Sequence, residues 1–214
     1  MTDVINDLQG KSIAVYCASS SAVSEVYFEA ARKLGGLIGR SGATLVYGGT
    51  NIGLMGEVAD AVINAGGKAC GVITVLLNQV GIAHPKLDEL IVTDGMRERK
   101  AAMEQRADGF ITLPGGYGTL EEIFEILTLK QLGILQKPVV LLNTNNYYSP
   151  LLELLQNAAD QHFMKPANLS LLKVVNTPEE ALDYIANYVA GPYEPKWVLP
   201  RASQSKAGEV PGLE

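Results

Sequence analysis

The sequence holds little of the chemistry that metal sites, disulfides and histidine-based catalysis need. Among 214 residues there are two cysteines, Cys17 and Cys70, and two histidines, His84 and His162, which lie far apart in the chain. Both cysteines fall within apolar, strand-like runs, which favours buried thiols in a reducing compartment over a disulfide or a metal pair. We therefore expect no metal site, no Ser-His-Asp triad and a cytoplasmic protein.

Long apolar runs and an excess of positive charge are also missing. No apolar stretch approaches the roughly 20 residues that a membrane-spanning helix needs, and residues 1–11 carry no apolar core of signal-peptide length. The formal net charge is −6, which gives no broad attraction for nucleic acid or for an anionic membrane. An anionic ligand would therefore have to be held by local hydrogen-bond donors.

Short aliphatic runs alternate with longer segments of helical period, a pattern typical of a parallel sheet with crossover helices. We predict a single α/β domain with a mostly parallel sheet of about seven strands. The predicted strands span residues 12–17, 44–47, 69–73, 90–93, 109–113, 139–142 and 172–175. The predicted helices span residues 24–40, 53–65, 95–107, 119–132, 148–161 and 178–189.

Three segments are expected along the chain. Residues 1–11 form a polar N-terminal segment, residues 12–190 form the α/β domain, and residues 191–214 form a proline-rich tail. The tail is predicted to leave the domain and to be partly disordered, with Trp197 as an anchor onto a surface.

A first glycine-rich loop, residues 47–56, follows a strand and opens a helix. Gly48 and Gly49 allow a close approach of the backbone to a ligand, and a helix N-terminus offers unpaired N–H groups. The spacing matches neither the dinucleotide fingerprint nor the Walker sequence. Equally, the loop can be a tight turn in which Gly53 and Gly56 let the helix pack on the sheet. Ser19 follows the first strand at the same sheet edge and is a second candidate ligand contact.

A second glycine-rich loop runs from Pro114 into the helix predicted from residue 119. Gly115, Gly116 and Gly118 expose consecutive N–H groups, and Thr119 adds a hydroxyl. A phosphate bound there would lie at the positive end of the helix dipole.

Glu122 has two possible roles in this loop. With Thr119 it forms the pattern of a capping box, in which both side chains bind backbone N–H groups. Alternatively, its carboxylate faces the sugar of a bound nucleotide, orients a water and stabilises positive charge on the ribose. The spacing by itself favours the cap. Glu121 and Glu125 are expected to be surface acids matched to the helix dipole.

The helix predicted over residues 95–107 carries two cations on a face that is otherwise apolar. Helical spacing places on this one face Met96, Arg99, Lys100 and Met103. Charged groups are rarely buried without a partner, so an anionic ligand or Glu122 would explain them. The alternative is a partly exposed face on which both cations reach water or pair with Glu104 or Asp108.

Together these segments resemble the LOG ("Lonely Guy") family of cytokinin riboside 5′-monophosphate phosphoribohydrolases, whose members are often labelled lysine decarboxylases. Residues 114–122 match the family pattern Pro-Gly-Gly-x-Gly-Thr-x-x-Glu in full, and Arg99-Lys100 matches its Arg-Lys pair. The loop at residues 46–56 is also similar to the family's. The resemblance extends in order over residues 12–198.

The resemblance implies a Rossmann-like three-layer sandwich, assembled as a homodimer, that cleaves adenine-type nucleoside 5′-monophosphates to free base and ribose 5-phosphate without a metal or organic cofactor. Arg99 and Glu122 match the family's catalytic pair, so Glu122 is expected to be catalytic even where it also caps. The expected substrate-binding residues are Ser19, Gly48, Gly49, Met96, Lys100, Gly115, Gly116, Tyr117, Gly118, Thr119, Leu120 and Glu121.

The chain departs from the family pattern at three points. Arg97 stands where the family usually has histidine, and Thr74 stands where it usually has proline. Residues 77–81, which end at Gly81, carry no acidic residue. We expect this last segment to shape the end of the pocket that receives the base.

Two other functions compete with hydrolysis. Some relatives of this fold carry the molybdenum cofactor, and the same glycine loops would hold its phosphate; a carrier, however, needs neither Arg99 nor Glu122 in that arrangement. A lysine decarboxylase would need a lysine placed for a Schiff base with pyridoxal phosphate and an acid for its ring nitrogen. Lys100 and Lys130 are the lysines near the motifs, and the sequence marks neither for that role.

Overall fold

Seven parallel strands form one sheet in the computed structural model, which describes residues 8–191. The strands are β1 Ser12–Tyr16, β2 Thr44–Tyr47, β3 Lys68–Thr74, β4 Glu89–Thr93, β5 Gly109–Thr112, β6 Val139–Leu142 and β7 Lys173–Val175. Their order across the sheet is β4-β3-β2-β1-β5-β6-β7, and every neighbouring pair is parallel. The predicted fold class is therefore confirmed.

Helices connect the strands. They are α1 Glu25–Arg40, α2 Gly53–Asn64, α3 Val75–Gln79, α4 Met96–Arg106, α5 Tyr117–Gln131, α6 Ser149–Asp160 and α7 Pro178–Ala186, with 3-10 turns at Thr144–Asn146 and Pro166–Leu171. The sequence analysis missed α3, because five residues are too few to show a helical period. Its first turn is instead fixed locally, since the Thr74 hydroxyl accepts a hydrogen bond from Leu77 N.

Two apolar cores lie on the two faces of the sheet, as a three-layer sandwich requires. One is built between the sheet and α1, α2 and α7, and the other between the sheet and α4, α5 and α6. Leu8, from the predicted polar N-terminal segment, is buried in the first core. Cys17 and Cys70 are buried free thiols, as predicted. Within residues 8–191, no helix combines the length and the apolar character needed to cross a bilayer.

The strand order reverses between β1 and β5, and this reversal locates the site. From β1 the chain builds outward through β2, β3 and β4, and it then returns to add β5 on the other side of β1. The loops that leave the carboxyl ends of β1 and β5 therefore diverge and open a crevice, the usual ligand site of such sheets. A hydrogen bond of 3.2 Å from Ala18 N to Pro114 O joins these two loops.

The predictions for the tail fall mostly outside the described residues. The last helix was predicted to reach residue 189 but ends at Ala186. The expected disorder of the tail and the anchoring role of Trp197 concern residues 192–214, which lie outside the part of the chain that the structure describes.

Candidate active site

A buried ion pair joins α4 to α5 at the crevice. Arg99 Nη1 donates to Glu122 Oε1 over 2.9 Å, and the two side chains are only 6% and 10% exposed. The sequence left open whether Arg99 meets a ligand, Glu122, water or the acids at positions 104 and 108. The structure selects Glu122. Such a pair is costly to desolvate, which makes a functional role more plausible than a stabilising one.

Two further contacts fix the Arg99 guanidinium, and the sequence analysis foresaw neither. Arg99 Nε donates over 2.9 Å to Val72 O near the end of β3. A Cβ placed on Gly48 would lie 2.4 Å from Arg99 Nη2 and 2.5 Å from Met55 Sδ. Gly48 was interpreted as a point of close ligand approach or a tight turn. In the structure the absence of its side chain makes room for the guanidinium.

Burial dominates the electrostatics of Glu122. Desolvation raises the pKa of the Glu122 carboxyl, and the neighbouring Arg99 charge lowers it again only in part. The carboxyl can therefore exchange a proton closer to neutral pH than an exposed glutamate, as a general acid or base requires.

The predicted capping box between Thr119 and Glu122 is wrong. The helix α5 begins at Tyr117 with Gly116 as its N-cap, so Thr119 is already the third helical residue and cannot cap. Its buried hydroxyl lies 2.1 Å from where a Cβ on Gly115 would be, which restricts position 115 to glycine. Glu122 is consequently free of a capping role, which leaves the pairing with Arg99 as its contact in the structure.

The start of α5 is open to solvent. Gly116, Tyr117 and Gly118 are exposed, and a Cβ on either glycine would meet nothing within 4 Å. The first N–H groups of a helix have no partner within the helix. The predicted phosphate loop therefore offers free donors at the positive end of the helix dipole, on the helix that carries Glu122.

Two tyrosines that the sequence analysis did not single out support this loop. Tyr147 Oη donates to Gly115 O and Tyr148 Oη to Leu113 O, each over 2.8 Å. Tyr148 is in turn held by Asn143, whose Oδ1 accepts from Tyr148 N over 2.7 Å. Two carbonyls at this loop, those of Leu113 and Gly115, are thus held by side chains that follow β6. Adjacent tyrosines after a strand carry no motif by which a single sequence would reveal this role.

Lys100 pairs with two acids of α5. Its Nζ contacts Glu121, and it lies 2.9 Å from Glu125 Oε2. The alternative pairing with the acids at positions 104 and 108 is therefore not what the structure shows, and Glu121 and Glu125 are not simply surface acids. The cluster ties α4 to α5 beside the Arg99–Glu122 pair.

The other predicted contacts are spread around the crevice. Met96 and Ser19 are exposed, Gly49 is buried, and Leu120 packs partly into the core on the α5 face.

Gly53 has a φ of +57°, and a Cβ there would lie 2.4 Å from the Ser19 carbonyl carbon. Only glycine therefore lets the Ser19 loop rest on the start of α2.

The segment that follows α3 is hydrogen-bonded to the first glycine loop. Asn51 N donates to Ile82 O and His84 N to Gly49 O, each over 2.9 Å, and Thr50 and Ala83 form an antiparallel bridge. These contacts hold residues 82–84 against the loop that contains Gly48. The role of residues 77–81 at the base end of the pocket stays a prediction.

Comparison with known proteins identifies the family. A family model described as "Possible lysine decarboxylase" matches residues 55–185. A probable cytokinin riboside 5′-monophosphate phosphoribohydrolase of Oryza sativa subsp. japonica, LOGL6, is 38% identical over 210 residues, covering 95% of this chain and 83% of the rice protein. The chain belongs to the LOG family. The cytokinin riboside 5′-monophosphate phosphoribohydrolase of Rhodococcoides fascians is 43% identical, covering 80% of this chain and 87% of its own.

Solved structures share the LOG fold at lower identity. The molybdenum cofactor binding protein of Rippkaea orientalis superposes with a TM-score of 0.64 at 24% identity, covering 83% of this chain and 96% of that one. The molybdenum cofactor carrier protein of Chlamydomonas reinhardtii gives a TM-score of 0.62, also at 24% identity, covering 80% and 93%. At this identity the likeness shows the fold alone.

The label "lysine decarboxylase" finds no support in the positions of the two lysines considered. Lys100 is engaged by Glu121 and Glu125. Lys130 lies twelve residues beyond Gly118 on α5, about 18 Å along the helix axis from the glycine loop. No lysine of this pair is therefore free beside the loop that would hold a cofactor phosphate. Among residues 8–191, no cluster of three or more His, Cys, Asp or Glu side chains is placed to hold a metal ion.

Replacing Gly48 by alanine is expected to damage the site of this LOG protein. The new methyl group would displace the Arg99 guanidinium or the Met55 thioether, so we expect kcat/KM for nucleotide hydrolysis to fall by about 10²-fold through misplacement of Glu122. Gly36→Ala is a matched control, because its Cβ would meet the Arg40 guanidinium at 3.2 Å on the exposed side of α1, where that side chain can turn away. Steady-state kinetics of both variants, with circular dichroism to check folding, tests this. Equal kinetics in the two variants would contradict it.

Lys130 is expected to destabilise the protein at neutral pH. Burial lowers the pKa of Lys130 from its ordinary 10.5 to about 8, and His162, Lys165, Tyr184 and Tyr188 line the cavity that it faces. We expect Lys130→Met to raise the free energy of unfolding at pH 7 by about 1 kcal/mol. Between pH 8 and pH 10.5, Lys130 is protonated in the unfolded chain but mostly neutral in the folded one, so the parent gains stability as the pH rises. The stability advantage of Lys130→Met over the parent therefore shrinks in this range. Urea unfolding of the parent and of Lys130→Met at pH 7 and pH 10 measures the two free energies of unfolding. If their difference does not change with pH, the lowered pKa of Lys130 is wrong.

Proposed function

We propose that this chain hydrolyses the N-glycosidic bond of adenine-type nucleoside 5′-monophosphates, releasing the free base and ribose 5-phosphate. Its relatives at 38–43% identity are named as cytokinin riboside 5′-monophosphate phosphoribohydrolases. The observation that carries the proposal is the buried Arg99–Glu122 pair, set at the strand-order reversal beside the open start of α5. Burying a carboxylate is costly, so its presence beside the proposed phosphate loop favours chemistry over binding alone.

Binding begins with the phosphate. In this proposal the N–H groups of residues 115–119 and the Thr119 hydroxyl receive the 5′-phosphate, which the helix dipole favours. The ribose then extends from the start of α5 toward Glu122, one turn further along the same helix. Phosphate binding thereby fixes the position of the sugar, which turns binding energy into orientation at the reacting carbon.

Glu122 supplies the chemistry in this scheme. As the bond between C1′ and the base stretches, positive charge develops on the ribose, and the Glu122 carboxylate stabilises it. The same carboxylate accepts a proton from the water that attacks C1′, while the departing base keeps the electron pair of the broken C–N bond and takes up a proton from solvent. Its raised pKa makes that transfer easier than it is for an exposed glutamate.

Arg99 acts on the reaction through Glu122. Its bond to Glu122 Oε1 fixes the carboxylate, and its charge limits the rise in the Glu122 pKa that burial causes. Lys100 was expected to bind the substrate. Since it is engaged by two acids of α5, we propose instead that it holds α4 and α5 in register beside the pair.

A panel of nucleotides tests reaction type and base preference together. Purified protein is incubated with AMP, GMP, CMP, a cytokinin riboside 5′-monophosphate and adenosine, and released base is followed by chromatography. We expect free adenine from AMP, with kcat/KM for adenosine at least about 10²-fold lower because the phosphate contacts are lost. Failure of every monophosphate to release base, or equal rates for AMP and adenosine, would reject the proposal. Co-purification of a pterin with no base release would point to a carrier instead.

We further propose that the protein works as a homodimer in the cytoplasm. The edge strand β4 presents Leu90 and Val92 to solvent, 38% and 45% exposed, and Met96 at the start of α4 is 48% exposed. Apolar side chains at a sheet edge are commonly covered by a partner subunit. Sedimentation equilibrium of the purified chain measures the mass, and a monomer at micromolar concentration would contradict the dimer.

A further inference from the structure

A second cavity lies at the opposite end of α5 from the glycine loop. Its volume is about 710 Å³, and it is walled by the C-terminal end of α5, residues 162–171 and the end of α7. That volume is within the range of small-molecule sites in proteins. Nothing in the proposed hydrolysis uses it.

Lys130 is the unusual residue on its wall. The residue is only 9% exposed, and within residues 8–191 its ammonium has no hydrogen-bond or ion-pair acceptor. Its contact is with an aromatic face, because Nζ lies 4.9 Å from the centre of the Tyr188 ring. A buried ammonium normally has an anionic or carbonyl partner, and one aromatic contact replaces only part of its hydration.

Among the described residues, the cavity lining holds no negative charge that could pair with Lys130. No Asp or Glu is among the described residues that line it, although the whole chain has a net charge of −6. His162 and Lys165 lie on the same wall, and Lys165 already has an interaction of its own. Among the described residues that line the cavity, Lys130 therefore has no anionic partner, and a bound anion would supply one.

The lining restricts which anion fits. Leu135, Leu171, Tyr184 and Tyr188 give the cavity apolar and aromatic walls, and Tyr188 is the one that contacts the ammonium. One buried unpaired cation matches one negative charge, whereas a phosphate group is better held by several N–H donors, as at the start of α5. The combination selects a singly charged ligand with an apolar body.

We propose that this cavity binds a small monocarboxylate with an aromatic or aliphatic body, whose carboxylate pairs with the Lys130 ammonium while the body packs against Tyr184 and Tyr188. The lowered pKa of about 8 for Lys130 agrees with an ammonium that lacks an anionic partner and is still mostly charged at neutral pH.

Titration calorimetry on the full chain at pH 7 tests the site with benzoate as the probe, benzyl alcohol as its neutral analogue and inorganic phosphate as a second anion. We expect benzoate to bind saturably, and benzyl alcohol and phosphate to bind at least tenfold more weakly. Lys130→Met should weaken benzoate at least tenfold. Lys173→Met is the matched control, because Lys173 lies 5.7 Å over the Tyr184 ring but outside the cavity, and it should leave benzoate affinity unchanged.

Each contrary result would overturn the assignment. Absence of benzoate binding, or equal binding by Lys130→Met and the parent, removes Lys130 as the anion partner. Tighter binding of phosphate than of benzoate means that the ligand class is wrong. Competition between benzoate and AMP places the carboxylate in the nucleotide crevice instead. Since Lys130 is not in the catalytic site, base release by Lys130→Met should equal that of the parent, which shows that the variant is folded.

Discussion

Replacing Glu122 by glutamine is expected to lower kcat for AMP by about 10²–10⁴-fold, the range by which a general acid or base accelerates a reaction. Glutamine keeps the size of the side chain and can still accept a hydrogen bond from Arg99, but it can neither take a proton from water nor stabilise a cationic sugar. Because Glu122 does not cap α5, its substitution removes no backbone hydrogen bond. Binding of AMP should persist, since the glycine loop is untouched.

The neighbouring acid gives a control for this result. Glu125 lies three residues further along α5, is 41% exposed and pairs with Lys100. Glu125→Gln removes the same charge from the same helix and should change kcat by less than about tenfold, as expected of a side chain outside the reacting atoms. Steady-state kinetics with AMP decides the matter. If the two variants lose activity to the same extent, Glu122 is not the catalytic carboxylate.

Replacing Arg99 by methionine is expected to destabilise the fold by about 3–5 kcal/mol at pH 8, because it leaves the Glu122 carboxylate buried without its cation. The size of this loss should depend on pH. Without Arg99 the pKa of Glu122 rises further above its value in the unfolded chain, so the stability it contributes is present at low pH and is lost as pH rises through the folded-state pKa. The loss should therefore be larger at pH 8 than at pH 5.

Activity should follow the same pKa. The acidic limb of the profile of kcat/KM against pH reports the ionisation of Glu122 in the free enzyme, and in Arg99→Met it should move to higher pH. Arg106→Met is the control, because Arg106 lies on α4, as Arg99 does, but pairs with Glu89 of β4 at the surface. A surface pair contributes at most about 1 kcal/mol to stability. If the stability loss in Arg99→Met does not depend on pH, or if the acidic limb of kcat/KM does not shift, Arg99 does not control the pKa of Glu122.

The sheet and the identity of the central pair could be predicted from the sequence. Aliphatic runs between helical segments mark buried parallel strands because such strands are covered on both faces. Arg99 was marked by its position on an otherwise apolar helix face, since a buried cation needs a partner. The family motif then singled out Glu122 as that partner. These inferences depend on local patterns, which a single sequence displays.

The features that were missed depend on contacts distant in the sequence. The capping box failed because the N-cap of α5 is Gly116, three residues before Thr119. Gly48 was explained by its own loop, whereas the group that requires the glycine is Arg99, fifty-one residues later. In the same way, Tyr147 and Tyr148 hold the predicted phosphate loop by hydrogen bonds, although they lie far from it in the sequence, after β6. No spacing rule connects such residues before the fold brings them together.

A crystal structure of Glu122→Gln soaked with AMP tests the central claim most directly, since the variant should bind the nucleotide without consuming it. We predict the phosphate within hydrogen-bonding distance of the amides of residues 115–119, and ribose C1′ in contact with the side chain at position 122, still held by Arg99. A nucleotide bound elsewhere, or a sugar turned away from position 122, would contradict the account.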